Sequence, residues 1–257
     1  MHHKFILGDV MDGLAQIESK SVQCIITSPP YYKLRDYGTQ GQIGQERTPE
    51  EYIEKLVGVF REIRRVLRDD GVVWINIADS YLTDGGTQSK IVQKAARIKG
   101  GSGIYKPKDL MLIPARLAIA LHADGWYIRS DVIWDKTNGL PESVTDRPTK
   151  SHEYIYLITK SELYFYDADA IRDPYKPDSV ARAGRGRRAT HKWDSLHGPG
   201  GQTIAKRLDK ACSNPLGSNK RSVWTMATEQ YRGAHYATFP TDLAKTCMLA
   251  GSRPGGG

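Results

Sequence analysis

Two short apolar runs, VQCII (22–26) and VVWINIA (72–78), bracket one strongly patterned helix, and this order limits the fold more than any other feature of the chain. Both runs are too short and too rich in β-branched residues for helices, and they read as buried strands. Between them Thr48 is a natural N-cap, Pro49 suits the first turn and Glu51 completes a capping box. Ile53, Leu56, Val57, Phe60, Ile63 and Leu67 then fall on one helical stripe, which Asp70 and Gly71 end. A helix with one apolar face between two buried strands predicts an α/β domain with a mostly parallel sheet. Further strands are predicted at 127–134, 152–159 and 162–166, and a second helix over 110–123. A short apolar run at 5–7 ends in Gly8 and Asp9. Residues 84–103, polar, aperiodic and flanked by glycine, read as a mobile loop.

The 257 residues suffice for one large domain or two modest ones, and 39% hydrophobic with 26% charged residues is ordinary for a soluble protein. No apolar run approaches the roughly 18 residues of a membrane span, and the N-terminus lacks signal-peptide anatomy. Three cysteines without paired spacing suit a reducing compartment, so a cytoplasmic protein with no membrane partner is expected. The net charge of +8 is concentrated: residues 176–222 hold eleven Lys or Arg and three Asp, while the remainder balances 26 basic against 26 acidic residues. Localised positive charge implies a polyanionic partner.

The first strand delivers Thr27-Ser28-Pro29-Pro30-Tyr31 to its carboxyl end, where open α/β sheets gather their ligands. Two prolines remove donors, fix φ and push the preceding residue towards extended backbone. The result is a stiff segment whose carbonyls remain free to accept, followed by a flat ring at Tyr31.

This TSPPYY stretch resembles the catalytic motif of DNA methyltransferases that act on exocyclic amino groups, the N4-cytosine and N6-adenine enzymes. The resemblance implies a Rossmann-like fold dependent on S-adenosyl-L-methionine, double-stranded DNA as partner, and no metal. It implies that Ser28 and the Pro29 carbonyl accept hydrogen bonds from the target amine, that Pro30 stiffens the loop, and that Tyr31 stacks on a base flipped from the duplex. Thr27 and Asp9 would lie on the cofactor side, although an aspartate after a short apolar run also reads as a turn former. HYATFP (235–240) is similar to the stretch that cradles the methionine end of the cofactor, which would place His235, Thr238, Phe239 and Pro240 there; it also reads as a helix start. GWYIRSDVIWDK (125–136), the 141–161 stretch and KRSVWTM (220–226) resemble the same group.

By the same resemblance, residues 1–171 form the first part of the catalytic domain, 172–222 a basic target-recognition region or disordered insert, and 223–257 a return to the catalytic domain. Arg182, Arg185, Arg187, Arg188, Lys192, Lys206 and Arg207 are the candidate DNA contacts, through phosphates at least. In this permuted motif order a strand and a DPFxGSGTT-like glycine loop should follow LAGSRPGG. The fold is therefore expected to be C-terminally incomplete and poorly active by itself, with a complementing chain or a restriction endonuclease as conceivable partners. Serine at the first motif position favours cytosine N4. Adenine N6, and an inactive DNA-binding remnant, are the alternatives. A cytosine-C5 mechanism would need a cysteine nucleophile, and no cysteine here follows a proline. A zinc deaminase would need a Pro-Cys-x-x-Cys pair, which is absent, so His152-Glu153 reads as plain strand.

Overall fold

A computed structural model describes residues 3–82, 105–106, 108–139, 141–176, 178, 214–229 and 238–254. In chain order the elements are α1 (Val10–Ala15), β1 (Val22–Thr27), α2 (Pro49–Val66), β2 (Leu67–Ile77), α3 (Ile113–Ala123), β3 (Tyr127–Lys136), β4 (His152–Thr159), a 3₁₀ turn (Asp169–Ile171), β5 (Val223–Met226) and α4 (Thr241–Gly251). The predicted loop at 84–103 lies outside the described residues.

Helix α2 forms where its stripe and cap require it. The Thr48 hydroxyl accepts from Glu51 N at 3.2 Å, while the Glu51 carboxylate reaches back one residue further than a capping box needs, to Arg47 N at 3.1 Å. The helix stops at Val66 rather than at Asp70, because Leu67 is already extended (φ −69°, ψ 138°) and opens β2. Pairing with β1 then slips: Val22 faces Leu67, but Cys24 faces Val72, so residues 68–71 bulge and the regular strand begins where the apolar run begins. Helix α3 starts three residues later than predicted, at Ile113. Leu112 before it adopts a left-handed conformation and supplies no side-chain cap. Asp79 supplies that cap from the end of β2, accepting from Ile113 N at 3.0 Å.

The sheet order is β1-β2-β4-β3-β5. β1 with β2 and β3 with β5 pair in parallel, whereas β4 is antiparallel to both its neighbours. Four of the five strands therefore run one way and β4 alone is reversed, so the sheet is mixed, with two parallel and two antiparallel pairings. The reversal matters for the site, since β4 begins at the end where the other four finish.

One sheet face (Val73, Ile75, Ile77, Tyr156, Ile158) packs against Tyr52, Leu56, Phe60 and Ile63 of α2 and Ile113, Leu117 and Leu121 of α3. Each such side chain contributes about 1.5–3 kcal/mol when fully buried. Trp126 closes this layer edge-on to Phe60, with ring centroids 6.5 Å apart. On the other face Val72 and Trp74 lie against α4, and Trp74 leans on Trp224 at 5.8 Å.

One predicted strand does not form, and the apolar run at 5–7 forms none either. Phe5 and Leu7 are fully exposed (93% and 103%) and pair with nothing in the sheet. Residues 162–166 run beside the start of β2 as irregular chain, with Phe165 N donating to Asp70 O at 2.9 Å.

The chain divides into two compact units, Met1–Tyr166 with Ser222–Gly257, and Asp167–Arg221. Within the second, Asp173 and Ser218 form an antiparallel bridge, and Arg172 holds Asp169 Oδ1 (2.5 Å), Gly217 O (3.0 Å) and Asn219 Oδ1 (2.8 Å). The two ends of the basic segment are thereby clasped together. Among the described residues no helix is long and apolar enough to cross a membrane.

Candidate active site

Ser28, Pro29, Pro30 and Tyr31 leave β1 at its carboxyl end and line a cleft of about 110 Å³ together with Leu34, Arg35 and Tyr37. The loop is held rigidly from behind. Tyr32 is a core residue, 2% exposed, with its ring 5.4 Å from that of Tyr52. The Tyr52 hydroxyl donates to Pro30 O at 2.8 Å, whereas no donor among the described residues reaches the Pro29 carbonyl. Gly44 passes so close that a Cβ there would lie 3.0 Å from Tyr31 O. Its φ of +101° is a conformation other residues rarely adopt. Gly44 O in turn accepts from Lys33 N at 2.8 Å. The two tyrosines thus divide the work: Tyr32 anchors the loop and Tyr31 turns towards the site.

Tyr31 is tied down through its hydroxyl. It lies 2.5 Å from Glu153 Oε2, 3.4 Å from Asn76 Oδ1 and 3.3 Å from Ser28 Oγ. Asn76 Nδ2 also donates to Glu153 Oε2 at 2.8 Å, and Lys136 forms an ion pair with the other oxygen of Glu153. Burial, reinforced by the Glu153 charge, pushes the Tyr31 phenol well above its usual value, so it remains protonated. These groups come from four strands. Asn76 and Lys136 lie near the carboxyl ends of β2 and β3, and Glu153 is the second residue of reversed β4. Nearby, Lys150 Nζ is buried with no hydrogen-bond partner among the described residues, and burial lowers its pKa. Sequence reading passed over Asn76, Lys136, Lys150 and Glu153, since each sits in an otherwise ordinary strand or turn. The one available signal was a charged residue, Glu153, in a run that is otherwise apolar and aromatic.

The residues expected on the cofactor side are partly brought to this end. At the far end of α4, Arg253 pairs with Asp70 at the start of β2 (2.8 Å) and Arg253 N donates to Gln23 Oε1 (3.2 Å). At its near end, Thr241 N and Oγ1 donate to Glu229, three residues beyond β5. α4 therefore runs opposite to β1, and Thr238, Phe239 and Pro240 before it lie towards the strand ends that carry Thr27 and Ser28. Phe239 is half-buried, Pro240 buried and Thr238 exposed. Asp9 is exposed and accepts from Met11 N at 2.9 Å, so it caps α1. His235 and the basic candidates Arg182, Arg185, Arg187, Arg188, Lys192, Lys206 and Arg207 lie outside the described residues. Among the described residues no group of three or more His, Cys, Asp or Glu is placed to hold a metal ion.

No cysteine serves as a nucleophile among these groups. Cys24 lies within β1, where burial pushes its thiol up to about 12, and Cys247 in α4 is raised for the same reason. Iodoacetamide at pH 8 is therefore expected to leave both unmodified in the native protein while labelling them in urea, as read by peptide mass mapping. Native labelling of Cys24 at the denatured rate would contradict this burial.

The open α/β sheet with a single reversed strand carries the Ser28 loop at its carboxyl end. A family model described as DNA methylase, N6_N4_Mtase, matches residues 22–256, and the chain belongs to this family. It is 42% identical over 261 residues to the Type II methyltransferase M.SmaI of Serratia marcescens, covering 98% of this chain and 76% of that protein. It is likewise 42% identical over 255 residues to the Type II methyltransferase M.Cfr9I of Citrobacter freundii, covering 96% and 72%. Among solved structures, PvuII DNA methyltransferase (cytosine-N4-specific) shares the fold with a TM-score of 0.59 at 13% identity, over 96% of this chain and 70% of that one. The chain is a DNA methyltransferase, and DNA is its substrate.

Proposed function

We propose that this protein methylates the N4 amino group of cytosine in double-stranded DNA, with S-adenosyl-L-methionine as donor. The observation that supports an exocyclic amine as target is the pair of acceptors at the end of β1, Ser28 Oγ beside a Pro29 carbonyl that no described donor reaches, in a cleft walled by Tyr31. Serine at the first motif position is what favours cytosine N4 over adenine N6. An exocyclic amine conjugated to its ring is a poor nucleophile. Two acceptors taking its two hydrogens hold the nitrogen in place and draw its lone pair out of conjugation. Tyr31, fixed by its hydroxyl, presents its ring to a base that has left the stack. Thr27, Asp9, Thr238, Phe239 and Pro240, with His235, form the cofactor side. The fit of Thr238, Phe239 and Pro240 rests on the course of α4, which returns them to the Ser28 end of the sheet. Thr27 ends β1 there, while Asp9, which caps α1, and His235 are assigned by the resemblance alone. Bound S-adenosyl-L-methionine supplies the electrophilic methyl group.

The basic segment within 172–222, closed at its base by Asp173 and Ser218, serves as the target-recognition region, with Arg182, Arg185, Arg187, Arg188, Lys192, Lys206 and Arg207 against the duplex. A cytoplasmic location beside the genome and a restriction endonuclease as functional counterpart complete the reading. Nucleoside mass spectrometry of DNA from cells expressing the full-length protein should yield N4-methylcytosine. N6-methyladenine without N4-methylcytosine would overturn the choice of base, and neither product would favour a DNA-binding remnant.

A further inference from the structure

The hydroxyl of a serine can donate or accept, and an amine target needs it to accept. The network behind the loop settles this polarity. Glu153 is buried, 7% exposed, and ion-paired with Lys136, so its carboxylate has no hydrogen to give. The Tyr31 hydroxyl owns a single hydrogen, and at 2.5 Å Glu153 Oε2 takes it; Asn76 Oδ1 at 3.4 Å is a much weaker competitor. The Tyr31 oxygen is then left only to accept, and the group that reaches it is Ser28 Oγ at 3.3 Å. At 3.3 Å this bond is long, and it biases the Ser28 hydrogen inward and the lone pairs towards the cleft.

We propose that Glu153 is a positioning residue that acts through Tyr31 to fix Ser28 as a hydrogen-bond acceptor for the target amine. The inference rests on the reading of the Ser28 loop given above and adds to it a residue 122 positions beyond Tyr31 in the sequence. The reversed direction of β4 makes the arrangement feasible, since a parallel strand would put its second residue at the opposite end of the sheet. Lys136 balances the buried charge, and Asn76 fills the remaining acceptor position of Oε2, as a buried carboxylate requires. The raised phenol of Tyr31 agrees with its standing as a permanent donor.

Glu153→Gln keeps the shape but offers one acceptor oxygen to three donors, Lys136, Asn76 and Tyr31, and places an amide hydrogen among them. With tritiated S-adenosyl-L-methionine and genomic DNA from a methylation-free bacterial host, kcat should fall by about 100-fold. KM for both substrates should stay within about 3-fold, because neither is contacted by Glu153. Tyr31→Phe, which keeps the ring and removes the relaying hydroxyl, should lose a similar factor. The double variant should lose no more than the worse single variant, because both break one chain. If Glu153→Gln fails to fold, Tyr31→Phe with the same split between kcat and KM carries the test. A kcat for either variant within about 2-fold of the parent, or losses that multiply in the double variant, would overturn the proposal. A parent protein that transfers no methyl group would instead remove the proposed function, and this inference with it.

Discussion

Tyr31→Ala is expected to reduce methyl transfer on the order of 1000-fold while leaving nonspecific, salt-sensitive DNA binding in place. Two separate losses combine. Removing the ring takes away a stacking surface for the extruded base, about 1–3 kcal/mol by comparison with other base–aromatic contacts. Removing the hydroxyl strips Glu153 Oε2 of a donor at 2.5 Å and Ser28 Oγ of its acceptor, so the serine regains its freedom to point either way. Single-turnover assays with labelled donor measure the first quantity, and gel mobility shift at several salt concentrations measures the second. Retention of more than about a tenth of the parent rate would refute a stacking and orienting role, since loss of the hydroxyl relay alone is expected to exceed that. Tyr31→Phe separates the two parts, because it spares the ring and breaks only the relay.

The same residue illustrates what a sequence discloses and what it withholds. The stiffness of Ser28-Pro29-Pro30 follows from local chemistry, so the loop and its place after a strand were legible from eight residues. That strand is not buried as predicted but half-buried at the sheet edge, with only Gln23 fully covered. Helix α2 was legible for a similar reason: its stripe is long, and its cap is written in adjacent positions. The network around Glu153 was not. It joins residues 28, 31, 76, 136 and 153, and nothing in HEYIYLIT says that β4 is reversed, since an apolar run reads alike in either direction. Only that reversal converts a strand glutamate into a neighbour of Tyr31. Tyr32 gives the converse lesson: adjacent to Tyr31 and identical in composition, it is buried against Tyr52 because the turn after Pro30 sends consecutive side chains apart. The run at 5–7 forms no strand because three apolar residues do not by themselves bring Phe5 and Leu7 to the sheet, and both stay exposed.

Two glycine-to-alanine substitutions should change stability in opposite directions, and the contrast tests the packing that carries the cofactor side. Gly251 is buried at the end of α4, where a Cβ would lie 2.6 Å from Val72 Cγ2 and 2.7 Å from Cys24 Sγ. Both neighbours are short side chains on sheet strands and cannot swing aside, so the helix itself must lift. Overpacking of this kind costs about 2–3 kcal/mol, and in a domain of this size that corresponds to a fall in Tm of roughly 4–12 °C. Gly58 lies within α2, and a Cβ there meets nothing within 4 Å. Gly58→Ala should raise stability by about 0.5–1 kcal/mol through helix propensity and lost unfolded-state freedom. Circular dichroism melting of both variants checks the signs, and a Gly251→Ala protein that melts with the parent would show that α4 is not seated on β1 and β2 as described. The consequence reaches the site, because α4 is the lever that sets Thr238, Phe239 and Pro240 beside the end of β1. A helix lifted at Gly251 should weaken S-adenosyl-L-methionine binding, whereas Gly58→Ala, which touches neither α4 nor the Ser28 loop, should leave it unchanged.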